Sequence, residues 1–213
     1  MLSAKAIVEL HDQRTRAWHL DDPGVREGGG QEGSAPAQEH ASEWLTLVAY
    51  QHRANFDLWH IEDEARSPGA TDTELAAVKR RIDKTNQLRN DLVEELDGAL
   101  LKWLAERALP NEDAPLNSES PGLIVDRLSI LSLKIHHTRE EAEREDAPEG
   151  HAERNCGRLR VLHEQRSDLA GCLDALWRET LSGIRRFKLY RQMKMYNDPA
   201  LNPAIYRRTT PEA

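Results

Sequence analysis

Ser120-Pro121-Gly122-Leu123-Ile124-Val125-Asp126-Arg127-Leu128-Ser129-Ile130-Leu131-Ser132-Leu133-Lys134-Ile135 is the stretch on which the fold of this chain turns. Ser120 can cap the free N–H groups of a first helical turn, and Pro121 stands where a helix tolerates proline because that N–H has no partner. Leu123, Ile124, Leu128, Ile130, Leu131, Leu133 and Ile135 then cover the helix nearly all round. Such a helix is packed on every side and predicts the centre of a bundle. Asp126 interrupts it, three residues after Leu123 and four before Ile130, on the inward face by periodicity.

Outward from this helix, prolines divide the chain, because proline inside a helix removes a hydrogen bond and clashes with the preceding turn. Long proline-free stretches run from Pro36 to Pro68, Pro68 to Pro110, Pro121 to Pro148 and Pro148 to Pro199. Each carries apolar residues at three- and four-residue spacing rather than in alternation, so each predicts a helix. The expected spans are Gln38 to Arg66, Thr71 to Leu109 (with Thr71 and Glu74 placed for a capping box), the helix opened by Pro121, and Glu149 to Lys188. A shorter helix, Ser3 to His19, precedes them. The fold class read here is all-α: a long antiparallel helical bundle of four long helices plus a short N-terminal helix. Its domain plan is an N-terminal helix over 1–20, a flexible Gly-rich linker over 21–38, the bundle over 39–188 and an irregular C-terminal strap over 189–213. Helices this long leave room for a second subunit over any exposed apolar face, so a homo-oligomer is expected.

Composition narrows the partners. Among 213 residues, 38% are hydrophobic and 31% charged, enough apolar material for a core. The 29 Lys and Arg against 37 Asp and Glu leave a net charge of -8, which disfavours a general electrostatic grip on nucleic acid or on an anionic membrane surface. No apolar run is long enough for a membrane span, and charged residues stud the first helix where a signal peptide would be apolar, so a cytoplasmic location is expected. Cys156 and Cys172 fall sixteen residues apart on one predicted helix, about 24 Å along its axis, which is beyond disulfide reach.

The informative positions are those where an inward stripe turns polar, since a buried charge is costly unless it is paired or binds something. In the first long helix the stripe Leu45, Val48, His52, Asn55, Trp59, Glu62, Arg66 loses its apolar character in its second half. His60 lies one turn from Asp57, Asp63 and Glu64, a spacing that can bring imidazole and carboxylate to one ion. The second helix passes through Asp83, Asn86 and Arg89, and the third carries Asp126 with Arg127 beside it and Lys134 two turns on. Three helices turning polar where up-down packing could bring them level predict a shared polar pocket. His60, Glu62, Asp63, Asp83 and Asp126 are the candidate metal ligands, and an oxygen-rich set of that kind suits magnesium or manganese. Asn55, Asn86, Arg89, Arg127 and Lys134 are the candidate ligand-binding residues, with the arginines suited to phosphate. No P-loop glycines, GxSxG elbow, HExxH pair or repeated ExxH is present.

The strings Ala54-Asn55-Phe56-Asp57-Leu58-Trp59-His60-Ile61-Glu62-Asp63-Glu64-Ala65-Arg66, Ile82-Asp83-Lys84-Thr85-Asn86-Gln87-Leu88-Arg89-Asn90, Ser120 to Leu131 and Met193-Lys194-Met195-Tyr196-Asn197-Asp198-Pro199-Ala200-Leu201-Asn202-Pro203 resemble the bacterial family known as domain of unknown function 4254. The likeness spans Trp44 to Tyr206. It implies a bacterial all-helical protein whose genes often stand near glycosyltransferases of surface polysaccharide assembly, and it implies no established activity or catalytic residue. A looser likeness, to all-helical nucleoside triphosphate pyrophosphatases, fails on their paired acidic motifs: Asn86 stands where a second carboxylate is needed.

Two functions of different kinds follow. The first is metal-assisted binding or hydrolysis of a phosphorylated or nucleotide-linked small molecule, with magnesium or manganese as cofactor and a link to polysaccharide biosynthesis. The alternative is a non-catalytic scaffold whose buried polar network fixes helix register and partner choice. The tail from Tyr190 to Tyr206 is read either as a strap over the bundle or as a lid carrying Tyr196, Asn197 and Asp198 to the pocket.

Overall fold

A computed structural model of the chain describes residues 3–20, 36–193 and 200–203, with the side chains of 36–42 excepted. Five helices follow one another: α1 (Ala4–Leu20), α2 (Pro36–Glu64), α3 (Asp72–Ala105), α4 (Pro121–Glu143) and α5 (His151–Leu181). The expected linker over 21–38 falls largely outside the described residues. Among those described there is no strand, only an isolated parallel bridge between Leu116 and Arg186. The all-α bundle is therefore the fold.

Its helix ends follow local chemistry. Thr71 caps α3 through a complete capping box, its side chain accepting from the Glu74 N–H while the Glu74 carboxylate accepts from the Thr71 N–H at 2.8 Å. Ser120 caps α4 with Pro121 in the first turn. The last helix stops at Leu181, short of the expected Lys188. Gly183, at φ 69°, takes the left-handed conformation, so its N–H reaches Thr180 O and that of Ile184 reaches Glu179 O. Those two bonds form the glycine stop that satisfies the carbonyls of the final turn.

α4 has ten buried residues over its 23, against six over the 34 of α3 and six over the 31 of α5, so the stretch that decides the fold is also its centre. α5 lies along α4, and α2 along α3. Gly122 brings α4 against α3 so closely that a Cβ there would come within 2.7 Å of Val93 O and 2.9 Å of Asp97 Oδ1. Leu96, Leu128 and Leu173 are fully buried in the shared core.

Sequence reasoning treats the N-terminal helix as a separate piece, whereas α1 packs on α2, α4 and α5. Asp174 of α5 accepts from Ala4 N at 2.9 Å at the positive end of α1, and Arg166 of α5 donates to Asp12 at 2.7 Å. Ile7 is fully buried, and so are the polar groups of His11 and Thr15. After α5 the chain leaves helical geometry, pairs Arg186 with Pro115 and Asn117 of the α3–α4 connection, buries Phe187 and reaches Glu94 of α3 through Gln192 N. Tyr190 and Met193 are exposed, and Tyr196, Asn197 and Asp198, the expected lid residues, lie outside the described residues.

Candidate metal centre

Two ladders of four-residue steps meet where α1, α2 and α4 converge. His11, Thr15 and His19 rise along α1, and His52, Phe56 and His60 along α2. Four-residue steps keep side chains on one helix face, and the ladders face each other: the His11 and His52 rings are 4.4 Å apart, His19 and Phe56 4.8 Å, His19 and His60 5.2 Å. α4 supplies His136, 4.3 Å from His19, and His137, 5.0 Å from His19 and stacked on Trp59 at 4.8 Å.

At the upper end of these ladders His19, His60 and His137 each offer a nitrogen, and the three atoms lie within 4.8 Å of one another. Hydrogen bonding shows which nitrogen of each ring is already engaged. His19 Nδ1 donates to Thr15 O at 2.7 Å and His60 Nδ1 to Phe56 O at 2.8 Å. A carbonyl oxygen only accepts, so in both rings Nδ1 holds the proton and Nε2 carries the free lone pair. His137 Nδ1 donates to the Glu140 carboxylate at 2.9 Å with the same result. Nε2 of His19 and of His137 is buried and has no hydrogen-bond partner among the described residues. Burial holds His137 below its ordinary pKa, only partly offset by Glu140, and burial lowers His136 as well. An imidazole whose Nδ1–H is held from behind by an oxygen acceptor is the form in which a metal ion takes histidine.

The lower end is closed. His52 Nε2 donates to His11 O at 3.1 Å and meets Thr15 Oγ1 at 2.9 Å, so its Nδ1 accepts from Ser129 Oγ at 2.7 Å. Ser129 Oγ in turn accepts from Asn55 Nδ2 at 2.9 Å. Burial pushes His52 down to about 3 and His11 well below the histidine range. Asn55 leads on to Asp126, whose carboxylate accepts from Asn55 Nδ2 at 3.0 Å, Gln51 Nε2 at 2.6 Å and Arg89 Nε at 2.7 Å, with a second bond from the Arg89 guanidinium. A continuous polar seam thus crosses the core from Arg89 to His19.

Of the residues expected to bind metal, His60 enters the triad and the carboxylates do not. Glu62 and Asp63 are paired with Arg66, and Asp83 with Lys79, on exposed helix faces. Asp126 is buried but saturated by donors, one of them a bidentate guanidinium. Of the expected ligand-binding residues, Asn55 and Arg89 join Asp126 in the seam, as periodicity predicts for an inward face. Asn86 is half-buried on α3. Arg127 points away and pairs with Glu119 at 2.7 Å, while Lys134 is exposed on the α5 side of α4.

Residues 45–189 match the family described as protein of unknown function, DUF4254. The chain belongs to DUF4254. No curated protein and no solved structure matches it. The matched segment of this DUF4254 protein contains His60, His137 and the Asp126 network; α1, which brings His19, precedes it.

Proposed function

We propose that this DUF4254 protein is a metal-binding helical bundle, using His19, His60 and His137 to hold one transition-metal ion for binding or hydrolysis of a phosphorylated small molecule. What carries the reading is that three imidazoles each offer a nitrogen within 4.8 Å of the others while an oxygen acceptor engages each Nδ1. An all-imidazole set suits zinc and its neighbours, whereas magnesium and manganese prefer oxygen. The three nitrogens, within 4.8 Å of one another, would have to draw closer around a shared ion. His19, His60 and His137 would hold the ion by three nitrogens and leave a position open, and the ion would supply Lewis-acid polarisation of a phosphoryl oxygen and of a water. The genomic association implied for the family makes a nucleotide-linked sugar the first substrate to try.

A zinc titration of the full chain tests this, with ion content measured after gel filtration. One ion per chain is expected, with affinity falling about 100-fold in His60→Ala and in His137→Ala while the helical circular dichroism is kept. Equal zinc binding by the parent and both variants overturns the reading. Loss of a chromogenic phosphate ester's hydrolysis in the same variants would extend it from binding to catalysis.

The scaffold reading applies to a different cluster. Asp126 has its oxygens engaged by Arg89, Gln51 and Asn55, which span α2, α3 and α4, and that arrangement supports a role in fixing the register of three helices.

A further inference from the structure

Between α4 and α5 runs an open groove of about 540 Å³. Lys134, Arg154 and Arg158 line it, and no acidic side chain does. In a chain of net charge -8 that is an unusual concentration of positive charge. Several arginines elsewhere are held by carboxylates: Arg53 by Asp57, Arg81 by Glu64, Arg127 by Glu119 and Arg166 by Asp12. Around the groove, Lys134 and the Arg154 side chain pair with no acid among the described residues, and Arg158 donates only to the neutral Asn155 amide at 2.9 Å. Three like charges facing one concavity repel one another, and an anion placed between them removes that repulsion.

Two glycines shape the space. Gly150, at φ 74°, needs its backbone for the turn into α5, and its missing Cβ leaves room for Arg154, whose guanidinium would lie 3.0 Å from such an atom. Gly157 lies inside α5, where alanine would favour the helix, and a Cβ there would meet nothing within 4 Å. It forms part of the groove wall, so any side chain added at this position projects into the opening. Val161 and Leu162 continue the wall as an apolar surface, and Thr138 and Gln165 add neutral hydrogen-bonding groups.

We infer that this groove binds a phosphorylated small molecule of the nucleotide class, with phosphate between Lys134, Arg154 and Arg158 and its ring on Val161 and Leu162. The volume lies within the range of small-ligand pockets. Guanidinium forks match phosphate oxygens in pairs, and a lysine supplies a point charge. This site is independent of the metal centre, although Lys134 and His137 stand one turn apart on α4.

Isothermal titration of the full chain with ADP, inorganic phosphate and adenosine at physiological salt tests the inference. ADP is expected to bind most tightly, adenosine least. Affinity for ADP should fall about tenfold or more in Lys134→Gln/Arg158→Gln, from loss of charged hydrogen bonds. Gly157→Met should abolish binding while leaving the melting temperature equal or higher, since it fills the opening and improves the helix. His60→Ala should bind ADP as the parent does. No ADP binding by the parent, unchanged affinity in both groove variants, tighter binding of a single-stranded RNA oligomer than of ADP, or loss of ADP binding in His60→Ala would each overturn the groove assignment. The last result would place the phosphate on the metal instead, so failure here remains distinct from failure of the metal reading.

Discussion

Replacing Asp126 with asparagine separates a structural carboxylate from a ligand-binding one. The carboxylate is 6% exposed and its partner Arg89 only partly exposed, so their attraction is weakly screened by water. Four hydrogen bonds from three side chains converge on its two oxygens. Asparagine keeps one acceptor oxygen but turns an NH2 toward donors and leaves the guanidinium of Arg89 without a counter-charge. Breaking a buried pair from one side costs about 3–5 kcal/mol. For a chain of this length each kcal/mol moves the melting temperature by about 2–4 °C, so the midpoint should drop by roughly 10 °C. Urea unfolding monitored by circular dichroism gives the free energy, and zinc titration of the same variant gives the second readout. Zinc affinity should stay at the parent value, because the His19, His60 and His137 nitrogens do not touch Asp126. Replacing both partners, Arg89→Met with Asp126→Leu, should recover most of the lost stability, since no buried charge then remains unpaired. A loss below about 1 kcal/mol in Asp126→Asn would refute the reasoning from burial and bond geometry. A collapse of zinc affinity in a folded Asp126→Asn would return this carboxylate to the metal site.

Three further outcomes are expected from the core. His52 is held near 3 in the folded chain against 6.5 when unfolded. The unfolded state therefore binds the extra proton, and stability is full above about pH 6.5 and lost as pH falls toward 3, by about 2 kcal/mol at pH 5 from this residue alone. Asp97 acts in the opposite sense: burial raises it from 3.8 to about 6, so stability increases as pH falls from 6 toward 3.8. Asp97→Asn should consequently be more stable than the parent at pH 7, by about 1–2 kcal/mol, and lose more between pH 7 and 5; superimposable pH profiles in urea would contradict the Asp97 assignment, and a variant that loses no stability between pH 6.5 and 5 would contradict that of His52. Gly122→Ala should destabilise by about 2 kcal/mol in spite of alanine's helix preference, because its Cβ meets the Val93 carbonyl at 2.7 Å. A neutral or stabilising effect in thermal unfolding would mean that α3 and α4 can part there at no cost.

The sequence makes α4 legible because every signal agrees: Ser120, Pro121, the apolar circumference and the lone Asp126 all require a helix at the centre. Thr71 with Glu74, and the polar faces of α2 and α3, are equally readable, since caps and periodicity are local. What depends on which faces meet is not local. His60 has carboxylates one turn away in sequence, and that neighbourhood suggests an oxygen-rich site. The folded chain instead rotates Asp63, Glu62 and Asp83 toward nearby cations and turns His60 toward α1. The missing signal was present at a coarser scale, as His11, Thr15 and His19 repeat the four-residue step of His52, Phe56 and His60. Matched ladders of that kind are expected where two helices run side by side, and reading α1 as a separate piece hides the match.

The placement of α1 also bears on how the proposed metal centre would be controlled. α1 is joined to the bundle through Asp12 to Arg166, Ala4 N to Asp174, and the buried Ile7, His11 and Thr15. His19 thus reaches the other two candidate ligands only when α1 is docked, and His60 and His137 alone would make a two-point site. If the ion binds three ligands, docking α1 and binding metal assist each other by the same free energy. Arg166→Met loosens the helix without altering a ligand, and should weaken zinc binding while leaving the α4–α5 groove's affinity for ADP intact. Added zinc should restore part of the stability that the substitution removes. If Arg166→Met lowered stability while zinc affinity stayed fixed, the ion would be held by α2 and α4 alone, and His19 would have to be removed from the ligand set.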